Sequence, residues 1–591
     1  MPLYVHFIIA CLICEICFIV VHRKSSNVRQ LCGIFLIPAS LYFFVYQHPF
    51  LESLDWFGVY ATSIVCFLGT IFLCSLTFEK YEAKKGKMRH VWILFFLLFI
   101  LISLIYGIPW LIKAFPLDNP EAIIFTLMQD KAGTDGFVWD LIWKNILKPT
   151  LGAFIPFCVA IFLISMSTRY SKKTWCFRIL RYKMRLYSGE NIWVPVRQLS
   201  TFLLFFIFFV FCIIASKLML PLVNLYKAYL AEFNSRQNSQ LYLEEYVFPD
   251  SVYIKVPQEK KNLIYIMMES METNFEEYTP EINKLSAENV SFLPGGVDLI
   301  MTNWTMAAQV SKLCAIPLYL PYGFGNDNVI DNFLPNVKCL TDILAENGYN
   351  QMYVQGSDGS FSSKKTFWKQ HSVNEFHDFP YYKKKKIVSE EKEIFWGVTD
   401  KTLYRLMQNE LNVLARDLSR PFALFAITVD THFPDGYLSE GCTVSDTEKS
   451  QYPSVLRCAS RQIDLFLKWA ESQSWYENTV IVVVGDHTWP TFTELLNLPK
   501  EAPLYWVNMF INTQKQPKLK NRNFSSFDMF PTVLEAMNMD IEGHRLGLGT
   551  SLFSSEKTLL ERMPKTTLDS MLKVKSYQYD YFMQGGSSWK N

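Results

Sequence analysis

Long hydrophobic runs dominate the first third of the chain, whereas the remainder alternates short apolar runs with polar stretches. A helix needs roughly 17 to 25 mostly apolar residues to cross the hydrocarbon core of a bilayer. The pattern predicts an α-helical membrane domain of five to six helices within residues 1–221, the second run being the weakest. The candidate runs lie at residues 3–21, 31–47, 57–77, 91–112, 150–167 and 198–221.

Lysine and arginine are concentrated in three of the loops between these runs, and basic loops stay on the cytoplasmic side of a membrane. The three loops are residues 22–29, 79–90 and 168–187. With these loops on one side, the last run leads outward, so we expect everything after about residue 222 to lie outside the cytoplasm. The first run lacks a basic start and a small-residue cleavage site, which favours a retained helix over a cleaved signal peptide.

In the last part of the chain the apolar runs are short, continuous and rich in β-branched residues, which is typical of strands covered on both faces of a parallel sheet. They occur at residues 262–268, 351–356, 422–429 and 479–485. Helical stretches lie between them, for example 339–348, which Gly348 would end, and 461–473. Alternation of strand and helix predicts an α/β domain with a mainly parallel central sheet over residues 261–591. We expect residues 222–260 to form an interfacial linker containing a helix and a strand or loop.

Composition narrows the class of partner. The 591 residues carry a formal net charge of only +2, and half of them are apolar. A nucleic-acid partner would require a basic surface, so this charge balance argues against that class. We expect a membrane protein with a large extracytoplasmic part, whose partners include the lipid bilayer and no nucleic acid.

Cysteine usage agrees with that placement. Nine of the thirteen cysteines fall in the predicted membrane part, and the other four are Cys314, Cys339, Cys442 and Cys458. An even number in an oxidising compartment indicates two disulfides. Of the three possible connectivities, the simplest joins the pairs that are near in sequence, 314 with 339 and 442 with 458. Free or metal-binding cysteines are the less favoured alternative, because no C-x-x-C spacing occurs among these four.

Polar side chains stand where three of the predicted strands end. The strand endings carry Glu269 with Ser270, Asp430 with His432, and Asp486 with His487. One such ending is often a helix cap. Because the carboxyl ends of parallel strands share one edge of the sheet, three endings together favour a metal site assembled by folding.

At these residues the chain resembles the extracytoplasmic phosphoglycerol transferases, namely the lipoteichoic acid synthases and, more closely, the enzyme that modifies periplasmic glucans. These enzymes belong to the alkaline phosphatase and sulfatase superfamily, and the resemblance covers roughly residues 260–555. Any one of the motifs is weak, but seven in the same order are specific. The motifs are NLIYIMMES, TNWTMAAQVSKLCAIPL, YVQGSDGSFSSKKTFWKQHS, WGVTDKTL, ITVDTHFPDGY, VVVGDH and SSFDMFPTVLEAMN.

The resemblance implies roles for individual residues. Glu269, Asp486 and His487 match the metal ligands, and Thr305 matches a threonine nucleophile that also touches the metal. Such an oxygen-rich site would suit Mn²⁺ or Mg²⁺, with Zn²⁺ less expected. His432 matches a histidine beside the transferred headgroup, where it would bind phosphate or act as acid and base. A structural histidine in a turn is the alternative for that residue.

A substrate loop follows from the same resemblance. Trp368 resembles an aromatic residue that packs on the glycerol phosphate in the lipoteichoic acid enzymes. The arginine that follows in those enzymes is absent here, where Lys369 and Gln370 stand instead. Lys364 or His371 would then supply the anion contact, with a plain surface role as the alternative for each. Asp430 is expected at the same substrate site.

The activity that the resemblance implies is that of a transferase in the bacterial inner membrane, with its catalytic domain on the periplasmic or extracellular side. It would move sn-glycerol 1-phosphate from phosphatidylglycerol to a hydroxyl of an envelope glycan through a covalent intermediate on Thr305. The alternative is a phosphoethanolamine transferase acting on lipid A or another envelope glycan. A sulfatase is disfavoured because the C-x-P-x-R or S-x-P-x-R motif is missing. A catalytically inactive assembly protein is disfavoured because all four presumed metal-site residues are present.

Overall fold

The computed structural model describes most of the chain from residue 237 to residue 584, and in the amino-terminal part it describes residues 142–151, the backbone of 175–179 and 182–186, and a few positions between 96 and 103. Within 237–584 it leaves out 320–332, 389–396, 418, 433–434, 445–449, 489–495 and 497–502. The predicted membrane runs and their orientation therefore lie almost wholly outside the described residues. Among the helices that are described, none combines the length and apolar character needed to cross a bilayer.

The chain divides into two compact units, Met1–Lys113 with Val138–Asn224 and Ala114–Phe137 with Leu225–Asn591. In the first unit, the described elements are a π-helical turn at Trp143–Leu147 and an antiparallel hairpin. The hairpin strands are β1 (Trp175–Ile179) and β2 (Tyr182–Leu186).

The second unit is built around a six-stranded sheet. Its strands are β4 (Asn262–Met268), β5 (Asn350–Gln355), β6 (Glu375–His377), β7 (Phe422–Ile427), β8 (Thr479–Gly485) and β9 (Asn508–Ile511). Their order across the sheet is β6-β5-β7-β4-β8-β9, and every neighbouring pair is parallel except β8 with β9. The predicted α/β domain with a mainly parallel sheet is confirmed, including all four predicted strands.

Helices surround this sheet. They are α1 (Gln240–Glu245), α2 (Pro280–Glu288), α3 (Thr305–Cys314), α4 (Leu340–Glu346), α5 (Lys364–Gln370), α6 (Phe379–Lys384), α7 (Asp400–Leu414), α8 (Tyr452–Glu471), α9 (Met529–Ala536), α10 (Leu559–Arg562), α11 (Lys565–Leu572) and α12 (Tyr577–Gln584). Short 3-10 helices lie at Pro249–Ser251, Thr273–Phe275, Phe361–Ser363, Tyr476–Asn478, Ser526–Asp528 and Glu542–His544. Two-residue strands pair separately from the main sheet: β3 (Ile254–Lys255) with β10 (Asp540–Ile541), and β11 (Arg545–Leu546) with β12 (Gly549–Thr550).

Side chains of the central strand point alternately into two cores. On β4, Tyr265 and Met267 join the core that also holds α3, α4 and α9, whereas Ile264 and Ile266 join the core under α7 and α8. All seven residues of β4 are buried. Coverage on both faces explains why this strand is a continuous apolar run rather than an alternating one.

Two disulfides connect the pairs that the sequence favoured. Cys314, the last residue of α3, is bonded to Cys339 at the start of α4. Cys442, in the loop after β7, is bonded to Cys458 on α8. The first disulfide ties the helix that begins with Thr305 to the neighbouring helix.

Candidate metal centre and nucleophile

Three neighbouring strands end at the candidate site. Met268 of β4 pairs with Gly485 of β8, so the next residues of the two strands, Glu269 and Asp486, emerge side by side at the same edge. Nε2 of His487 lies 3.5 Å from Oδ2 of Asp486 and 3.7 Å from Oε1 of Glu269. Ligand atoms of the three residues all lie within 4.8 Å of one another. The structure thus brings together the three side chains predicted to bind the metal.

Hydrogen bonds fix the orientation of the Glu269 carboxylate. The backbone N–H of Glu269 donates to Oγ1 of Thr428, the residue that follows β7, at 2.9 Å. Ser270 adopts a left-handed conformation with φ of 48°, an uncommon state for a residue other than glycine. In that conformation its N–H donates to Asp486 Oδ1 at 2.7 Å and its hydroxyl donates to Glu269 Oε1 at 2.8 Å. Ser270 therefore links the two carboxylates.

His487 is oriented by its own backbone neighbours. Its N–H donates to Asp486 Oδ1 at 2.7 Å, and its Nδ1 lies 3.2 Å from the carbonyl oxygen of Thr488. A carbonyl only accepts, so this contact requires the proton on Nδ1. Nε2 then faces Glu269 and Asp486, and in the neutral ring it is the nitrogen that can bind a metal, the arrangement found in metal-binding histidines.

The turn out of β8 requires glycine. A Cβ on Gly485 would lie 2.2 Å from the carbonyl oxygen of Met271 and 2.9 Å from Cβ of Trp506. Any side chain at this position would push the turn away from Met271 and shift Asp486. The glycine in the VVVGDH motif, which is the last residue of β8, is thus explained by close backbone packing.

The electrostatics of the three residues fit a cation. Burial, followed by the charge of Asp486, raises the pKa of Glu269 to about 8. For His487, burial lowers the pKa, but the charges of Asp486, Glu269 and Asp298 outweigh it and raise the pKa overall. Asp486 Oδ2 is buried and has no hydrogen-bond partner among the described residues. Two buried carboxylates, one with an unsatisfied oxygen, beside an accepting imidazole nitrogen form a donor set suited to a divalent cation.

Thr305 lies next to these ligands. It is half-buried at the first position of α3, and its hydroxyl lies 3.4 Å from Glu269 Oε2. The amino end of a ten-residue helix presents unpaired N–H groups and a partial positive charge, which favour an anion at this point. The structure therefore places the predicted nucleophile beside the predicted ligands, at a position that favours phosphate.

Lys312, which the sequence did not single out, supports the site from behind. Its side chain is fully buried, and Nζ donates to the carbonyl oxygen of Asp486 at 2.7 Å. This carbonyl belongs to the peptide bond between Asp486 and His487, the two predicted ligands that follow β8. The same ammonium lies 4.0 Å from the ring centroid of Trp506. Burial lowers the pKa of Lys312 to about 8, against the opposing charges of Asp298 and Asp486. Since it follows Thr305 by seven residues, one helix face carries both the nucleophile and this contact.

Of the two residues predicted to contact the anion, Lys364 is the one that lies close enough to Glu269 and Asp486 to feel their charges. Its side chain is buried, and burial lowers its pKa although the charges of Glu269 and Asp486 oppose this.

His432 is half-buried in the turn after β7, where its N–H donates to the carbonyl oxygen of Val429 at 3.0 Å. Its role beside the headgroup remains a prediction.

Trp368 requires a correction, because it is completely buried in the core beside the sheet. Its ring stacks on Tyr353 at 4.2 Å between centroids, and its Nε1 donates to Gln309 Oε1 of α3 at 2.8 Å. A ring with no exposed surface cannot pack on a bound glycerol phosphate without rearrangement. In this structure Trp368 instead supports the helix that carries Thr305.

His371 and Asp430 also differ from the prediction. Nδ1 of His371 lies 2.9 Å from Asp342 Oδ2 and Nε2 lies 3.2 Å from the carbonyl oxygen of Phe333, so both ring nitrogens are already engaged. Asp430 is buried, and its backbone N–H donates to Asp400 Oδ2 at 3.2 Å. Burial and the Asp400 charge raise the pKa of Asp430 well above its usual range. The Asp430 carboxyl is enclosed in the interior, where Oδ2 accepts from the Ser439 hydroxyl and Oδ1 has no hydrogen-bond partner among the described residues. Neither side chain is therefore open to a substrate.

Comparisons with known proteins extend these observations. The family model described as Sulfatase matches residues 261–539. Phosphoglycerol transferase I of Escherichia coli O127:H6 is 32% identical over 319 residues, which cover 51% of this chain and 40% of that protein. The match thus spans less than half the length of that relative. The lipoteichoic acid synthase LtaP from Listeria monocytogenes is 18% identical, with a TM-score of 0.40 over 51% of this chain and 79% of that one. The phosphoethanolamine transferase EptA from Neisseria meningitidis is 12% identical, with a TM-score of 0.43 over 86% of this chain and 95% of that one.

Proposed function

We propose, from the match of residues 261–539 to the family model described as Sulfatase, that this chain is a metal-dependent phosphoglycerol transferase of the sulfatase and alkaline phosphatase superfamily. The donor in this proposal is phosphatidylglycerol, and the acceptor is a hydroxyl of an envelope glycan. The proposed location is the bacterial inner membrane, with the catalytic domain on its outer side. The similarity to phosphoglycerol transferase I over 51% of the chain supports the choice of donor class.

The observation that carries the proposal is the position of Thr305. Its hydroxyl lies 3.4 Å from Glu269 Oε2, at the amino end of α3 and beside the buried cluster of Glu269, Asp486 and His487. A threonine hydroxyl of ordinary pKa is a poor nucleophile and needs an activating environment. Glu269, Asp486 and His487 would hold Mn²⁺ or Mg²⁺ here, and the bound cation would lower the pKa of the hydroxyl and offset charge on phosphate oxygens.

The chemistry divides between two displacements at phosphorus. Thr305 Oγ1 attacks the phosphodiester of the donor, the bond from phosphorus to the diacylglycerol oxygen breaks, and diacylglycerol leaves with a proton. Glycerophosphate is then esterified to Thr305. A glycan hydroxyl attacks the same phosphorus, gives up its proton and releases the threonine. The backbone N–H groups at the start of α3 stabilise negative charge in both steps, and we assign the proton transfers to His432.

The experiment that tests the proposal detects the covalent intermediate. Full-length protein in detergent micelles with Mn²⁺ is incubated with phosphatidylglycerol and no acceptor, then digested and analysed by mass spectrometry. We expect a glycerophosphate adduct on the peptide containing Thr305, some activity in T305S and almost none in T305A. A T305A variant that releases diacylglycerol at the normal rate would refute the covalent mechanism. An adduct that forms only from phosphatidylethanolamine would instead identify a phosphoethanolamine transferase.

A further inference from the structure

Two buried lysines flank the candidate metal centre, and their surroundings differ. Lys312 has a carbonyl acceptor at 2.7 Å and an aromatic ring at 4.0 Å. Lys364 has no hydrogen-bond or ion-pair partner among the described residues, and the nearest ring centroid, that of Phe361, lies 5.6 Å from its Nζ. Only 7% of the surface of Lys364 is exposed. Burying an ammonium is unfavourable unless an anion or acceptor pairs with it.

The loop before Lys364 holds it in this position at the cost of backbone strain. Ser362 and Ser363 both adopt left-handed conformations, with φ of 58° and 55°. Two consecutive residues other than glycine in this region are unfavourable and persist only where the surroundings enforce them. The turn is pinned because the N–H of Ser363 donates to the carbonyl oxygen of Ser360 at 3.1 Å and that of Lys365 donates to Gly359 at 2.9 Å.

Nearby acidic groups do not neutralise this ammonium by direct contact. Asp358, the nearest acidic residue in the loop, accepts hydrogen bonds from the N–H and hydroxyl of Ser360 at 2.8 Å and 2.7 Å. Glu269 and Asp486 attract Lys364 electrostatically, but neither carboxylate lies within ion-pair distance of it. The ammonium therefore lies in the field of the predicted metal ligands with its hydrogen-bonding capacity unused.

We propose that Lys364 binds the phosphate of the donor through a non-bridging oxygen. This inference rests on the proposed function, and it gives the chain a lysine in place of the arginine expected from the family resemblance. A lysine ammonium acts as a point charge and does not impose the planar two-bond geometry of a guanidinium. Lys364 is thus a substrate-binding residue for a phosphate monoester or diester.

Lys365 provides a matched control. It is the next residue of the same helix, it is half-exposed, and its Nζ lies 3.9 Å from a buried carboxylate oxygen of Asp378. K364Q and K365Q therefore make the same chemical change one residue apart, once inside the site and once at the surface. K364R retains the positive charge at the inner position.

The test is a binding measurement that needs no turnover. Full-length protein in detergent micelles with Mn²⁺ is titrated calorimetrically with sn-glycerol 1-phosphate, inorganic phosphate and glycerol. We expect K364Q to weaken both phosphate-containing ligands by roughly ten- to a hundredfold, the range for a hydrogen bond to a charged group. The phosphate affinity of K365Q should stay within about twofold of that of the unsubstituted protein, and K364R should recover part of the affinity that K364Q loses. The affinity for glycerol should be the same with and without Lys364.

Several outcomes separate this inference from the function on which it rests. Phosphate binding that depends on Lys364, in a protein that forms no adduct from phosphatidylglycerol, would support the anion site and refute the proposed donor. Equal phosphate affinities in K364Q and K365Q would refute the role of Lys364 even if the adduct on Thr305 forms.

Thermal unfolding of the same variants tests for a merely structural role. K364Q removes a buried charge without a partner, so its midpoint of thermal unfolding should not lie below that of K365Q. If K364Q instead unfolds several degrees lower, and this loss of stability accounts for the lost binding, the proposal is overturned.

Discussion

Replacing Lys312 by methionine should weaken metal binding although Lys312 is not a predicted ligand. Methionine retains much of the aliphatic bulk that packs under Trp506 but removes the ammonium whose Nζ donates to the carbonyl oxygen of Asp486 at 2.7 Å. A hydrogen bond to a charged group contributes about 1.5–3 kcal/mol. At about 1.4 kcal/mol per tenfold, this corresponds to roughly 10- to 150-fold in an equilibrium constant. Groups that orient metal ligands typically affect affinity by 10- to 100-fold, so we expect K312M to bind Mn²⁺ about ten- to a hundredfold more weakly.

The assay is a titration of full-length protein in detergent micelles, with unbound Mn²⁺ followed by electron paramagnetic resonance. K565M is the matched control, because Lys565 is exposed and pairs with Asp569, four residues along the same helix. K312M should also lower kcat more than it raises KM for the donor, since Lys312 holds ligands and does not touch substrate. An Mn²⁺ affinity within about threefold of that of K565M would refute the reasoning.

Three further predictions follow from buried charges. D486A should lower turnover far more than tenfold because it removes a predicted ligand at the strand end; a smaller loss in a steady-state assay would contradict the metal assignment. Burial raises the pKa of Asp430, so the folded chain retains a proton that the unfolded chain loses above pH about 4. Stability from this proton is full below that pH and is lost as the pH rises towards the folded pKa. As the pH rises above about 4, D430N should therefore reduce the fall in the free energy of unfolding by up to ~1.4 kcal/mol per pH unit in denaturant titrations, whereas an unchanged slope would argue against a protonated Asp430. R522M should reduce the free energy of unfolding by about 3–5 kcal/mol, because Arg522 is buried and donates to Glu561 at 2.8 Å and 3.0 Å; a loss below 1 kcal/mol would show that the pair contributes little.

Continuous apolar runs made the central strands predictable. The bounds of β4 and β8 coincide with the predicted runs because a strand buried on both faces contains almost no polar residue. The polar residues that end these runs could then be assigned to one edge of the sheet. By contrast, β6 has three residues and β9 has four, and a run that short has no detectable periodicity. Helix α8 begins nine residues before the predicted stretch, because Pro453 suggests a break but is well tolerated in a first helical turn.

The support around the site was less accessible to sequence reasoning. Lys312 lies on a helix, where lysine is normally solvated, and its burial depends on Trp506, which is remote in sequence. Its spacing of seven residues from Thr305 was the available signal, since that spacing returns to the same helix face. Trp368 shows the opposite error: its motif position was matched, but position alone does not fix the direction in which a ring points.

The separation of the predicted ligands along the chain has a consequence for biosynthesis. Ser270 and Asp486, hydrogen-bonded at the site, are 216 residues apart, whereas Cys314 and Cys339 are only 25 apart. During synthesis β4, β5, β6 and β7 emerge first and can pair, whereas the edge of β4 that pairs with β8 stays unpaired until β8 has been made. Closing so long a loop is entropically costly and slow. On the proposed function, Thr305 is therefore made long before Asp486 and His487, and a nascent chain cannot attack its donor until β8 and the residues that follow it have emerged.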